Sequence, residues 1–447
     1  MKATLTSTQG LDRETSIDLK RTRAIKGAFF SEFIDMFDIY LPVVVMSPVL
    51  FFFQPPHLSG GMEVILASLV FITTLIGRPV GALLFGMIAD RVGRRKASIY
   101  SVSGFGVITL LIALLPGYES IGIWSYLLLV LLRFVDGIFL GGGYTGAMPL
   151  AIEYSRKSER GFVGGLIIAA FPLAYVTINL VAMLMFVLFP LAGPHSPYVQ
   201  WGWRIPFVVG ALLAAVLALY YVYKVSESEI WETETNTGEA KVKLPLSDLL
   251  RGQSGKNLLQ VLLLMTGFWL TQNIITIFLP TGLLVHTLHL SGFQLTSTLL
   301  VSYGVLFFSY IASGMLGQRF GRRRFFYIVG PLISIVGGGL LYTLSNVDGL
   351  SLPVIILLVC LLSVLVTSPW GVIVTYVNER FVTDVRATGF GVGFSLSVII
   401  PSFYAFYMSW LSHIMPMRLT PVLLLFIGGV IGTIGALMGP ETKNVDF

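Results

Sequence analysis

Three carboxylates share one apolar stretch of this chain: Glu32, Asp35 and Asp38. At 100° per residue they fall within an arc of about 120°, one face of a helix. A second stretch carries Arg133 and Asp136, three residues apart, and a third carries Arg78 beside Pro79. An ionisable side chain in a bilayer core costs at least about 2.5–3.5 kcal/mol on insertion scales, so such groups mark ion or substrate pathways. A carboxylate that cycles a proton must be pulled both ways: burial disfavours its charge, and a neighbouring guanidinium favours it. Asp35, Asp38 and Asp136, near Arg133, answer that description and are the proton-coupling candidates. The competing reading is a static ion pair that joins two helices.

Those residues need membrane-spanning elements around them. Hydrophobic residues are 55% of the 447-residue chain and charged residues 12%, against about 25% charged in soluble domains. Apolar runs of about 20 residues each suffice to span a bilayer. The pattern predicts twelve spans: 25–53, 62–89, 97–116, 121–153, 160–189, 203–224, 256–287, 292–317, 325–344, 351–378, 384–413 and 418–438. The fold class is therefore an all-α integral membrane protein. A tail over 1–24 precedes a six-helix half over 25–224. A linker over 225–255 leads to a second half over 256–438 and a tail over 439–447. Entering near residue 25, Asp35 and Asp38 lie about 15–20 Å in, close to the midplane. Arg133 and Asp136 reach a similar depth, Arg78 lies nearer one face, and Glu32 lies nearer the mouth.

The two halves repeat one another. Gly86-Met-Ile-Ala-Asp90-Arg91-Val-Gly93-Arg94-Arg95-Lys96 returns as Gly314-Met-Leu-Gly-Gln318-Arg319-Phe-Gly321-Arg322-Arg-Arg324. Glu153 and Arg160, with six residues between them, return as Glu379 and Arg386. Two similar halves related by an axis along the membrane normal belong to transporters that alternate access about a midplane site. Lys and Arg crowd the tails, the linker and alternate loops, and Arg418 stands on the opposite side. The positive-inside rule then puts both termini in the cytoplasm. Arg204, after a short outer loop, can snorkel to the interface. The clips read as a cytoplasmic gate of Asp90, Arg91, Arg94, Arg95, Glu153, Arg160, Arg319, Arg322, Glu379 and Arg386. Asp90 is expected to meet a basic group such as Arg386, and Gln318 should make the second copy a weaker latch.

The second half carries neutral groups where the first carries charge: Gln272, Asn273, Ser302, Tyr303, Trp370, Tyr404 and Tyr407. The first half should handle charge and the second should shape the substrate pocket. Arg133, Arg78, Gln272, Asn273, Tyr303 and Trp370 are the substrate-binding candidates.

Other classes find no support. The one cysteine, Cys360, rules out an intrachain disulfide. There is no CxxC, HExxH or GxxxxGK[ST] motif, so no metal or cofactor is expected beyond the coupling proton. His57, His195, His286, His289 and His413 fall at helix ends or outer loops. An enzyme would need a nucleophile, metal set or cofactor motif. A sensor would need an output domain, and the linker, with Glu239, Lys241 and Lys243, is too short for one. The basic balance follows membrane topology and not nucleic-acid binding. A monomer with a retained N-terminus is expected.

Several stretches resemble the major facilitator superfamily. The clip is shared by that whole superfamily. Arg78-Pro79 and Trp203-Arg204-Ile-Pro-Phe207, with Arg133-Phe-Val-Asp136-Gly137, Glu153-Tyr154 and Arg160-Gly161-Phe162, are similar to its metabolite:proton symporters, which carry organic acids, betaines and proline. The resemblance implies two pseudo-symmetric six-helix halves of the major facilitator fold in the cell membrane. It implies a proton-coupled symporter that imports a small organic solute, a carboxylate or zwitterion, by alternating access. In similar symporters a Gln usually stands at Asp136, and an acid often stands at Gly143. A sugar porter and a proton-antiporting exporter are the nearest alternatives. The glycine- and proline-rich signature of similar exporters is missing from Gly161–Pro172.

Overall fold

The computed structural model describes residues 2–56, 60–236, 249–347 and 349–446. His57 and the linker residues Glu239, Lys241 and Lys243 lie outside the described residues. Among the described residues, twelve helices are long and apolar enough to cross a membrane. In the first half they are α1 (Ile17–Phe53), α2 (Leu69–Val92), α3 (Arg94–Ala113), α4 (Trp124–Glu153), α5 (Arg160–Leu188) and α6 (Tyr198–Lys224). In the second they are α7 (Gly252–Val285), α8 (Gly292–Phe320), α9 (Arg322–Asn346), α10 (Leu352–Glu379), α11 (Thr383–Leu411) and α12 (Met417–Met438). Helices suit an apolar solvent because they satisfy backbone hydrogen bonds internally.

Within the first half α2 packs on α4, and α3 packs on α4 and α6; α8 on α10 and α9 on α12 repeat the pattern in the second. Two seams join the halves, α5 against α8 and α2 against α11. Small residues allow the tightest approach. A Cβ at Gly81 would stand 1.8 Å from the Ile138 carbonyl oxygen, and one at Gly141 would stand 2.2 Å from that of Arg78. The α2–α4 contact sets Arg78 level with Gly141, about two turns along α4 from Arg133.

The helical chain starts well before residue 25, where apolarity begins. Residues 17–24 continue α1 because ion pairs hold them: Asp18 with Arg21 and Arg156, Lys20 with Glu229, and Arg21 with Glu159. Part of the expected linker is also helical, over Glu229–Asn236. α7 loosens into wider π-type turns from Ile274 to Thr287, around Pro280. Such irregular turns are frequent at functional sites. Here they begin directly after Gln272 and Asn273.

Candidate functional site

A cavity of about 50 Å³ lies between the halves. From the first half Glu32, Met36, Tyr40 and Arg78 face it, with Phe171 from α5. From the second come Trp269, Gln272, Asn273, Tyr310, Trp370 and Phe394. The aromatic wall is tightly built: Trp269 and Trp370 meet edge to face at 4.4 Å, and Phe394 stands 5.6 and 5.7 Å from them. The Gln272 Oε1 and Trp370 Nε1 atoms are buried without hydrogen-bond partners. They and Arg78 offer a polar solute an acceptor, a donor and a positive charge.

The buried charges divide into two clusters. In the first, the Arg78 Nη2 donates to Asp35 Oδ2, and Glu32 and Arg78 both face the cavity. The Arg78 guanidinium also lies 5.0 Å over the Tyr144 ring, and the Tyr144 hydroxyl hydrogen-bonds Ser395 of α11. A continuous polar path thus runs from Asp35 through Arg78 and Tyr144 into the second half. In the second cluster Arg133 Nη1 donates to Asp136 at 2.7 Å and to Asp38 at 3.2 Å, and Thr109 donates to Asp38 at 2.6 Å. Each cluster holds two carboxylates against one guanidinium. Such a set can take up one proton without leaving an uncompensated positive charge.

Several expectations change. Arg133 is not a cavity residue. It is fully buried among α1, α3 and α4, because α4 turns that face toward Asp38 and Thr109. Glu32, placed near the mouth by depth alone, lines the cavity instead. Tyr303 does not line it either. Its ring stacks on Tyr175 at 4.2 Å and 9°, next to Phe171. Gln272, Asn273, Trp370 and Arg78 line the cavity.

The Tyr175–Tyr303 stack closes one end of the cavity. Tyr175 is one turn farther than Phe171 from the clip end of α5, and Tyr303 is two turns farther than Tyr310 from that end of α8. Tyr303→Ala should therefore open a leak: uncoupled downhill efflux from proteoliposomes should rise several-fold, while Tyr303→Phe, which keeps the ring, stays near wild type. Equal leak rates in the two variants would remove the stack from the gate.

Charges close the other end. Glu153 Oε1 accepts from Arg94 Nε at 3.0 Å and from Arg386 Nη1 of the second half at 2.7 Å. Its other oxygen accepts from Ser228 at 2.5 Å. Asp90 meets the start of the helix that begins at Arg386. Its carboxylate accepts from the Ala387 and Thr388 N–H groups at 3.3 and 3.0 Å and from the Thr388 hydroxyl at 2.6 Å. The expected side-chain pair with Arg386 gives way to this cap because the first-turn N–H groups of α11 need acceptors and attract negative charge.

The second copy is looser across the seam. Glu379 binds Arg322 of its own half at 2.6 Å but Arg160 of the first half at 3.8 Å. Gln318 Oε1 accepts from the Gly161 N–H at 3.1 Å and from Arg322 at 2.9 Å. It occupies the place of Asp90 without the charge. Arg95 does not reach across. It donates to the Tyr221 and Val222 carbonyls at the end of α6, and Arg91 and Arg319 are exposed at the outer edge of the clips.

The chain holds a further repeat that the clip pattern did not reveal. Glu227 accepts from the Arg94 and Arg95 N–H groups, and Glu441 from those of Arg322 and Arg323. Thr442 binds Glu379 as Ser228 binds Glu153. Gly93 and Gly321, at φ +118° and +106°, admit these acids; a Cβ would come within 2.3 and 2.5 Å of their Oε2 atoms. The pairing of Glu227-Ser228 after one half with Glu441-Thr442 after the other was the available signal.

Comparison with known proteins completes the description. Residues 28–403 match the Major Facilitator Superfamily. The chain is 28% identical over 443 residues to the proline/betaine transporter of Salmonella typhimurium, covering 96% of this chain and 85% of that one. It is also 28% identical to the glycine betaine/proline/ectoine/pipecolic acid transporter OusA of Dickeya dadantii, over 97% and 86% of the two chains. The proton:xylose symporter XylE bound to 6-bromo-6-deoxy-D-glucose has a similar fold. Its TM-score is 0.70 at 19% identity, over 95% of this chain and 96% of that one.

Proposed function

The chain belongs to the Major Facilitator Superfamily and is a multi-pass membrane transporter, not an enzyme; from that premise we propose that it imports a small zwitterion together with protons. The observation that carries the reading is the cavity, which sets Glu32 and Arg78 against the Trp269–Trp370–Phe394 wall. A carboxylate end would pair with Arg78. A cationic end would lie against the aromatic faces, which attract cations, and toward Glu32. The relatives named for proline and betaine carry solutes of that charge pattern.

Proton and substrate then compete for one guanidinium. With Asp35 ionised, Arg78 is occupied. Once Asp35 takes a proton, Arg78 is released to the substrate carboxylate. On the side where the proton leaves, Asp35 recaptures Arg78 and the substrate is expelled. The Asp38–Arg133–Asp136 cluster is a second place for a proton in the same half. The cavity would open alternately past the clips and past the Tyr175–Tyr303 stack. The distribution of Lys and Arg supports a cytoplasmic clip side with both termini on it; the same proposal takes the protein as a monomer in the cell membrane with protons as the coupling ion.

The test is reconstitution into vesicles with a pH-sensitive dye inside. Proline or glycine betaine added outside should acidify the lumen in step with labelled uptake; a sugar should not. Uptake without proton movement would refute symport. Uptake of xylose but not of a zwitterion would favour a sugar porter.

A further inference from the structure

A second crevice of about 630 Å³ opens at the clip end, on the outside of the α5–α8 seam. α1 gives it Arg21 and Lys26, α8 gives it Arg319, and Glu159 stands directly before α5. Arg21 is held by Asp18 at 3.4 Å and Glu159 at 3.1 Å. Lys26 and Arg319 are exposed, so the rim is net positive. Its walls are apolar. Phe162 and Met315, 44% and 54% exposed, stand beside Leu166 where the helices leave the interface for the hydrocarbon.

Cations over an apolar wall at membrane depth match one ligand chemistry: a headgroup with net negative charge on an acyl chain. Basic pockets between transmembrane helices recognise anionic lipids in this way. A zwitterionic headgroup brings its own cation against Lys26 and Arg319. A free anion makes no use of Phe162 and Met315. We infer that this crevice is a binding site for an anionic phospholipid, whose phosphate bridges Lys26 of the first half and Arg319 of the second. Lys26 and Arg319 converge on the crevice when the clip side is shut, so the bound lipid favours that arrangement.

The full chain in detergent provides the test. Dioleoyl phosphatidylglycerol should raise Tm by several degrees over dioleoyl phosphatidylcholine, because a ligand of the folded state stabilises it. Lys26→Gln with Arg319→Gln should cancel that difference. An equal Tm rise from phosphatidylcholine, from millimolar glycerol phosphate, or in the double variant would overturn the proposal. If the variant does not fold, a photoactivatable phosphatidylglycerol decides on the native protein. Crosslinks on α1 and α8 around Lys26 and Met315 support the site, and crosslinks confined to other helices overturn it.

Discussion

Replacing Asp35 with Asn should abolish accumulation of substrate against its gradient while leaving exchange in place. Asparagine is neutral at every pH, so the site loses its proton cycle. Arg78 loses the partner that withdraws it from the cavity. A buried charge stripped of its partner costs about 3–5 kcal/mol, and Arg78 is 3% exposed. The guanidinium is then driven to the one anion that can enter, the substrate carboxylate. Binding and counterflow survive, but the proton gradient no longer drives net release into the proton-poor compartment. The accumulation ratio should fall about 100-fold, near the upper range of coupling between two sites. Asp38→Asn should act in the same direction, since Arg133 keeps Asp136 but the cluster loses a titratable oxygen pair. Labelled substrate in proteoliposomes, with and without an imposed proton gradient, measures both effects. If uphill uptake survives each change, the carboxylates of α1 do not couple the proton.

Loss of the Glu153 carboxylate should have the largest effect on conformation. One oxygen serves Arg94 and Arg386, which are fully buried or nearly so. Arg386 reaches it only when the two halves meet at the clip side. Glu153→Gln therefore destabilises the closed clip side by about 3–5 kcal/mol, the cost of removing one partner from a buried pair. The closed population should fall more than about 100-fold. Spin labels on Lys96 and Arg324, with Cys360 replaced by Ser, should show the distance between the halves widen. Glu153→Asp should restore part of the closure. Glu379→Gln should move the distance less, because its contact across the seam is the long one, 3.8 Å to Arg160. Unchanged distances in Glu153→Gln would leave the residue a packing role alone.

Much of the site was legible in the chain because membrane insertion penalises charge so heavily. Glu32, Asp35, Asp38, Arg78, Arg133 and Asp136 stand out against an apolar background, and all six are buried. The unequal clips were legible as well, since Asp90 and Gln318 occupy matched positions. The assignment of charges to the cavity was not legible. Depth along a helix can be counted from its end, but rotation toward a neighbour cannot. By depth Arg133 ranked with Asp35; by rotation it turns to Asp38 and Thr109, and Glu32 turns to the cavity. Tyr144 and Ser395 were not legible either, because a tyrosine and a serine in apolar helices carry no signal until the halves dock.

Composition and residue pattern were enough for the solvent, the twelve spans, the duplication and the half that carries the midplane charges. These follow from local terms, namely transfer energy per residue, helix rise and loop charge. Tertiary structure alone decided which groups touch. It paired Asp35 with Arg78, gave Asp90 to the start of α11, tied Glu153 to Arg386, and stacked Tyr303 on Tyr175. Each of those contacts joins residues distant in the chain, and each depends on how a helix is turned about its axis. That rotation is set by the packing of neighbouring helices, including the glycine contacts of α2 with α4, and is not read from one helix alone.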